Sequence, residues 1–79
     1  MVRRSISLAR QVVQEILTGI EAGNLTRDNG MLPSETELSQ RFEVSRATIR
    51  EALSQLEQRG VVNRRHGVGT FVVPPTASH

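Results

Sequence analysis

Seventy-nine residues, 37% of them hydrophobic, suffice for one small domain with a modest core, and the absence of Cys excludes a disulfide framework and a zinc finger. The apolar runs are only a few residues long, which excludes a membrane span. Met1-Val2-Arg3-Arg4 is not followed by a signal-peptide-length apolar stretch, so a soluble, cytoplasmic domain is expected. The net charge of +2 hides an asymmetry: Ser5 to Glu43 carries three Arg against six acids, hence −3, and Val44 to Thr70 five Arg against two acids, hence +3. A positive second half is an electrostatic footprint for a polyanion. Every basic residue is Arg, which either suits bidentate contacts to phosphate or guanine or reflects a genome's codon bias.

In chain order, Ile6, Ala9, Val13, Ile16, Leu17 and Ile20, with Val12 at the flank, repeat every three to four residues and predict an amphipathic helix of about four turns. Ser5 or Ser7 is its expected cap, and Gly23 its left-handed C-terminal residue, so the helix should end near Ala22. Its polar face (Arg10, Gln11, Gln14, Glu15, Thr18, Glu21) is mixed in sign rather than basic, which favours a structural role over a membrane-surface one. Asn24 to Gly30 reads as a loop with an Asn29-Gly30 turn, and Met31-Leu32 as a short extended segment touching the core.

Leu32 to Gln58 then reads as two short helices joined by a tight turn. Ser34 and Glu37 form a capping box, with Pro33 favouring an extended approach and Leu38 and Phe42 on the buried side. Glu43-Val44-Ser45 interrupts the pattern, and Ser45 offers a second cap. From there Ile49, Ala52, Leu53 and Leu56 make one apolar stripe, with Arg46 and Arg50 off it near the helix start. A short helix, a turn and a second helix with exposed basic residues at its start is the helix-turn-helix pattern, and the second helix is the candidate DNA-reading element. Gly60 should end that helix. Val61 to Arg64 and Thr70 to Val73 read as two strands around a basic, Gly-containing loop, Arg65 to Gly69, which makes a hairpin or wing. Pro74-Pro75 stops the sheet and Thr76 to His79 is read as a tail or the start of a linker, giving one domain over residues 1–75.

Taken together, Leu32-Pro33-Ser34-Glu35, Val44-Ser45-Arg46, Ile49-Arg50-Glu51-Ala52-Leu53, Leu56, Gly60 and Gly67-Val68-Gly69-Thr70-Phe71-Val72 resemble the N-terminal domain of the GntR family of bacterial transcription regulators, over roughly residues 6 to 73. The resemblance implies a mainly α fold with a β-hairpin, the winged helix-turn-helix, binding double-stranded DNA at palindromic operators as a homodimer, most often as a repressor. It also implies a further C-terminal domain, with no counterpart in these residues, that binds a small-molecule effector and supplies most of the dimerisation. Carried over, the phosphate-contacting cap is Ser34, with Thr36 where the family often has Arg. The base-reading residues are Arg46 and Arg50 with Ser45 and Thr48 beside them, and the wing tip entering the minor groove is Arg65, His66 and Gly67, flanked by Arg64. Glu43 stands in the inter-helix turn where the family commonly has Gly.

The residues themselves weigh these roles. Arg46 and Arg50 are a like-charged i, i+4 pair at the unfavourable end of the helix dipole, with no carboxylate one turn away in that helix, so an outside anion is expected as their partner; a solvated face is the alternative. Arg41 follows Glu37 by one turn in the order that favours an intrahelical pair and reads as structural. Ser34 and Thr48 serve helix caps whether or not they touch DNA, and His66 is a polar turn residue raised to a minor-groove candidate by its neighbours. Two His without Cys make a metal site improbable, no cofactor-binding motif is present, and no acid–base pairing points to catalysis. Phe42 and Phe71, the only aromatics, are both placed in the core, which removes the stacking platform of a single-strand or RNA binder. A winged-helix module for protein association, without DNA binding, is the competing function.

Overall fold

The apolar stripes decide the architecture, because each helix can bury its stripe only against the others. The computed structural model describes residues 4–27 and 29–73, with side chains from Leu8 onward. In chain order these form α1 (Arg4–Ala22), α2 (Glu35–Phe42), α3 (Arg46–Gln58), β1 (Val62–Arg65) and β2 (Gly69–Val72). Val12, Val13 and Ile16 of α1, Leu38 of α2, and Ile49, Ala52, Leu53 and Leu56 of α3 meet in one core with Leu25, Leu32 and Val62. Phe42, Val44, Leu17, Ile20, Val61 and Val72 pack around it half-buried.

Helix α1 begins at Arg4, so Ser5 and Ser7 lie inside it and neither is the expected cap. Nothing in this stretch breaks a helix, and Ser in a helix costs only about 0.5 kcal/mol relative to Ala. The C-terminal end is as expected: the Asn24 N–H donates to the Gly19 carbonyl and the Gly23 N–H to that of Ile20. Gly23 has φ 77° there, and Gly60 has φ 79° at the end of α3. The loop that follows α1 is more than a connector, since Leu25 turns inward and is 5% exposed. Its side chain fits because residue 19 has none: a Cβ on Gly19 would stand 2.9 Å from the Leu25 Cβ.

The capping box of α2 is complete. Ser34 Oγ accepts from the Glu37 N–H at 3.1 Å, and Glu37 Oε1 accepts from the Ser34 N–H at 3.3 Å. Glu37 also accepts from Arg27 Nη2 at 3.2 Å, which ties the preceding loop to this helix. The expected Glu37–Arg41 pair is therefore absent: the capping box and Arg27 hold the carboxylate, and Arg41 has no ion pair among the described residues. Helix α2 ends on Glu43 in the left-handed region, φ 58° and ψ 47°, its N–H donating to the Ser39 carbonyl. The chain turns here with a carboxylate-bearing residue where glycine would be unstrained.

The hairpin pairs Val62 with Val72, Asn63 with Phe71, Arg64 with Thr70 and Arg65 with Gly69. Pairing thus runs one residue further toward the tip on each strand than expected, and the turn shrinks to His66-Gly67-Val68, closed by the Val68 N–H donating to the Arg65 carbonyl at 3.0 Å. On the other side of β2, Met31 bridges to Phe71, and the Leu32 N–H donates to the Thr70 carbonyl at 2.8 Å, so the extended segment before α2 lines the hairpin edge. Phe71 departs from its core placement. Strand alternation puts Val62 and Val72 on the inner face and Phe71 on the outer one, half-buried, with the Arg65 guanidinium 5.6 Å from its ring centroid. Pro74 to His79 lie outside the described residues.

Candidate nucleic-acid interface

The two caps and the hairpin place the candidate residues in two groups. At the start of α3, Ser45 has extended backbone and its Oγ accepts from the Thr48 N–H at 3.1 Å, while the Thr48 hydroxyl lies 3.0 Å from it. Both side chains thus finish the helix end, and they fix where Arg46 and Arg50 emerge. Arg46 is exposed and has no ion pair among the described residues. In the second group, Ser34 and Thr36 at the start of α2 face Arg64, Arg65, His66 and Gly67 of the wing across an open groove. Arg65, His66 and Gly67 are exposed, and Gly67 forms the apex of the turn with φ 78°.

Arg50 is not the unpartnered cation that the sequence suggests. Its Nη2 donates to Glu35 Oε1 at 3.0 Å, and its Nε donates to Oε2 at 3.5 Å, a side-on pairing between α2 and α3. The hydrogen bond from Arg50 holds the Glu35 carboxyl below the usual carboxylate range, with the positive charges of Arg50, Arg46 and Arg64 acting in the same direction. The same bond raises the Arg50 guanidinium pKa. Half or more of the Arg50 side chain remains open to solvent, 58% against 29% for Glu35, so the pair leaves the guanidinium accessible. Arg64 is held more firmly. Its Nε donates to Glu57 Oε1 at 3.1 Å, and only 34% of its side chain is exposed, so it clasps the wing to the end of α3 instead of standing free at the tip.

Glu35 and Glu57 are the residues that sequence reasoning missed. Glu35 lies 15 positions before its arginine and Glu57 seven before its own, so no helical spacing links either pair. Glu35 also lines the groove, which makes it the link between the α2–wing group and the α3 group. Among the described residues no cluster of three His, Asp or Glu side chains is placed to hold a metal ion.

Three helices around one core, the second and third joined by a tight turn and followed by a hairpin, define a winged helix-turn-helix domain. The family model described as "Bacterial regulatory proteins, gntR family" matches residues 8–72. This chain belongs to the GntR family. It is 41% identical over 70 residues to the HTH-type transcriptional repressor NagR of Bacillus subtilis (strain 168), covering 89% of this chain and 28% of that protein. It is 42% identical over 65 residues to the arabinose metabolism transcriptional repressor of Geobacillus stearothermophilus, covering 82% of this chain and 18% of that one. Among solved structures, AraR(DBD) in complex with operator ORX1 superposes with a TM-score of 0.74 at 41% identity, over 84% of this chain and 78% of that chain. The chain spans less than a third of the length of both curated relatives.

Proposed function

We propose that this chain is the DNA-binding part of a bacterial transcription regulator, reading double-stranded DNA with the start of α3 in the major groove and the wing tip in the minor groove. The observation that carries the reading is the exposed Arg46 at the first position of α3, without an ion pair among the described residues, with the open side of Arg50 one turn further on. A guanidinium presents donors in a fork that matches O6 and N7 of guanine, and a good bidentate pair discriminates by about 1–3 kcal/mol against the wrong base. Ser34 contacts phosphate at the start of α2, with Thr36 beside it where the family often has Arg. Ser45 and Thr48 flank the base-reading arginines, and Arg65, His66 and Gly67 enter the minor groove, with Arg64 setting the wing's place. The operator-bound AraR(DBD) structure supports the duplex as ligand. The longer protein acts in the cytoplasm as a homodimer on palindromic operators, most often as a repressor, with a small effector bound by a further domain.

Selection of bound sites from random duplex DNA tests the reading and yields the half-site. Arg46→Ala and Arg50→Ala should each relax preference at one G·C pair while circular dichroism is unchanged; full affinity and selectivity in either variant would remove that residue from the interface. A second reading, a protein-association module, draws on the carboxylates that already hold Arg50 and Arg64. It predicts that duplex DNA binding is absent or insensitive to salt.

A further inference from the structure

We infer that Glu35 is a positioning residue that sets sequence selectivity: its carboxylate holds one edge of the Arg50 guanidinium so that the opposite edge is aimed at a base pair. This rests on the reading of α3 as the DNA-contacting helix. A guanidinium has five N–H donors, and Glu35 takes only the side formed by Nε and Nη2, at 3.5 and 3.0 Å. The end-on pair, one N–H each on Nη1 and Nη2, has no partner among the described residues, and it is an N–H pair of this shape that meets O6 and N7 of guanine. Glu35 is well placed to serve as a fixed anchor, because it is the first residue of α2 and its side chain is 29% exposed, whereas that of Arg50 is 58% exposed on a long flexible stem. Holding the stem before DNA arrives removes rotamer freedom that binding would otherwise have to remove.

The same carboxylate has an opposite effect on general affinity. It places a negative charge within a cluster of Arg46, Arg50 and Arg64, on the wall of the groove between α2 and the wing. Any duplex brings phosphates toward those cations, so a fixed anion among them weakens sequence-independent attraction. This second effect acts on every duplex alike and so changes affinity, whereas the aiming of Arg50 changes the ratio of specific to scrambled binding.

The test is a double-mutant cycle on the 79-residue chain, read by fluorescence anisotropy against a duplex bearing the selected site and a scrambled duplex of equal length. Glu35→Gln keeps the size of the side chain and leaves the Ser34–Glu37 capping box in place. It should lower the ratio of specific to scrambled affinity about tenfold and raise affinity for the scrambled duplex, with the melting curve still cooperative. In an Arg50→Lys background the same change should leave the ratio where Arg50→Lys alone put it, because lysine has no fork to orient. An unchanged ratio in Glu35→Gln overturns the inference, as does an equal loss in both backgrounds, which is the signature of a merely structural role. A wild-type chain that prefers no duplex sequence sinks the DNA reading itself, whereas a selective wild type with an equally selective variant sinks only the role of Glu35.

Discussion

Glu43 carries the sharpest local strain in the chain, since it is the non-glycine residue that holds a positive φ among those described. It is exposed and makes no ion pair there, so the left-handed backbone is offset by nothing its own side chain does. Glu43→Gly should therefore raise stability by about 0.5–1 kcal/mol in urea denaturation; a loss instead would mean that the turn takes another conformation in solution. The interruption after Phe42 was legible in the sequence, but its handedness was not, because a glutamate gives no local sign that its backbone will be left-handed. At Glu35 the prediction concerns pH. Its folded carboxyl titrates below the ordinary value of 4.5, because Arg50 hydrogen-bonds the ionised form. Folding therefore favours loss of the proton: the contribution is complete above the unfolded value and disappears as pH falls through the folded one. The melting temperature of the wild type should drop more steeply than that of Glu35→Gln as pH is taken below 4.5. Parallel curves would show that the ion pair does not persist in solution.

At the level of elements, the caps of α2 and α3 and the apolar stripes were readable because their determinants are local, whereas the expected Ser5 or Ser7 cap of α1 lies inside the helix. Ser34 with Glu37, Ser45 ahead of Thr48, and the stripe Ile49, Ala52, Leu53 and Leu56 each lie within a few turns, and all form as expected. Contacts that join separate elements left no such trace. Leu25 looked like a loop residue and is core, and the packing of its Cβ against Gly19 depends on α1 and the loop folding back together. Phe71 looked like core, but the strand pairing turns it to the outer face beside Arg65. Gly19 therefore separates propensity from packing. Ala is the better helix former by about 1 kcal/mol, yet a methyl group there meets the Leu25 Cβ at 2.9 Å, and that atom is fixed to backbone. Gly19→Ala is predicted to destabilise the domain by about 1–3 kcal/mol less that helical gain, measured by thermal melting. A rise in melting temperature would show that Leu25 does not pack there.

Across the whole molecule, the charge asymmetry of the sequence becomes a surface in which some cations are committed and others are open. Arg64 is clasped to Glu57, Arg27 to Glu37, and Arg50 shares one side with Glu35, while Arg46 and the wing tip are free of ion pairs among the described residues. Exposed pairs are each worth only about 0–1 kcal/mol, so they organise the surface more than they stabilise it. Arg46 and Arg50 stood out in the sequence as cations without a carboxylate one turn away in their helix, and the other candidates came from the resemblance to the family. The commitments of these residues were not legible there, because each clasp joins residues from different elements. Affinity for duplex DNA should fall with salt by roughly 0.9 log units per log unit for each phosphate neutralised, and Arg65→Ala should reduce that slope by about one such step. A slope that Arg65→Ala leaves unchanged would remove the wing from the phosphate contacts.

The most direct measurement is an amide chemical-shift titration of the isotope-labelled chain with its selected duplex. The predicted result is a set of perturbed amides at Ser34 to Thr36, Ser45 to Arg50 and Arg65 to Gly67, with the α1 stretch from Val12 to Leu17 unmoved. Perturbation centred on α1, or none at the start of α3 while DNA is bound, would contradict it.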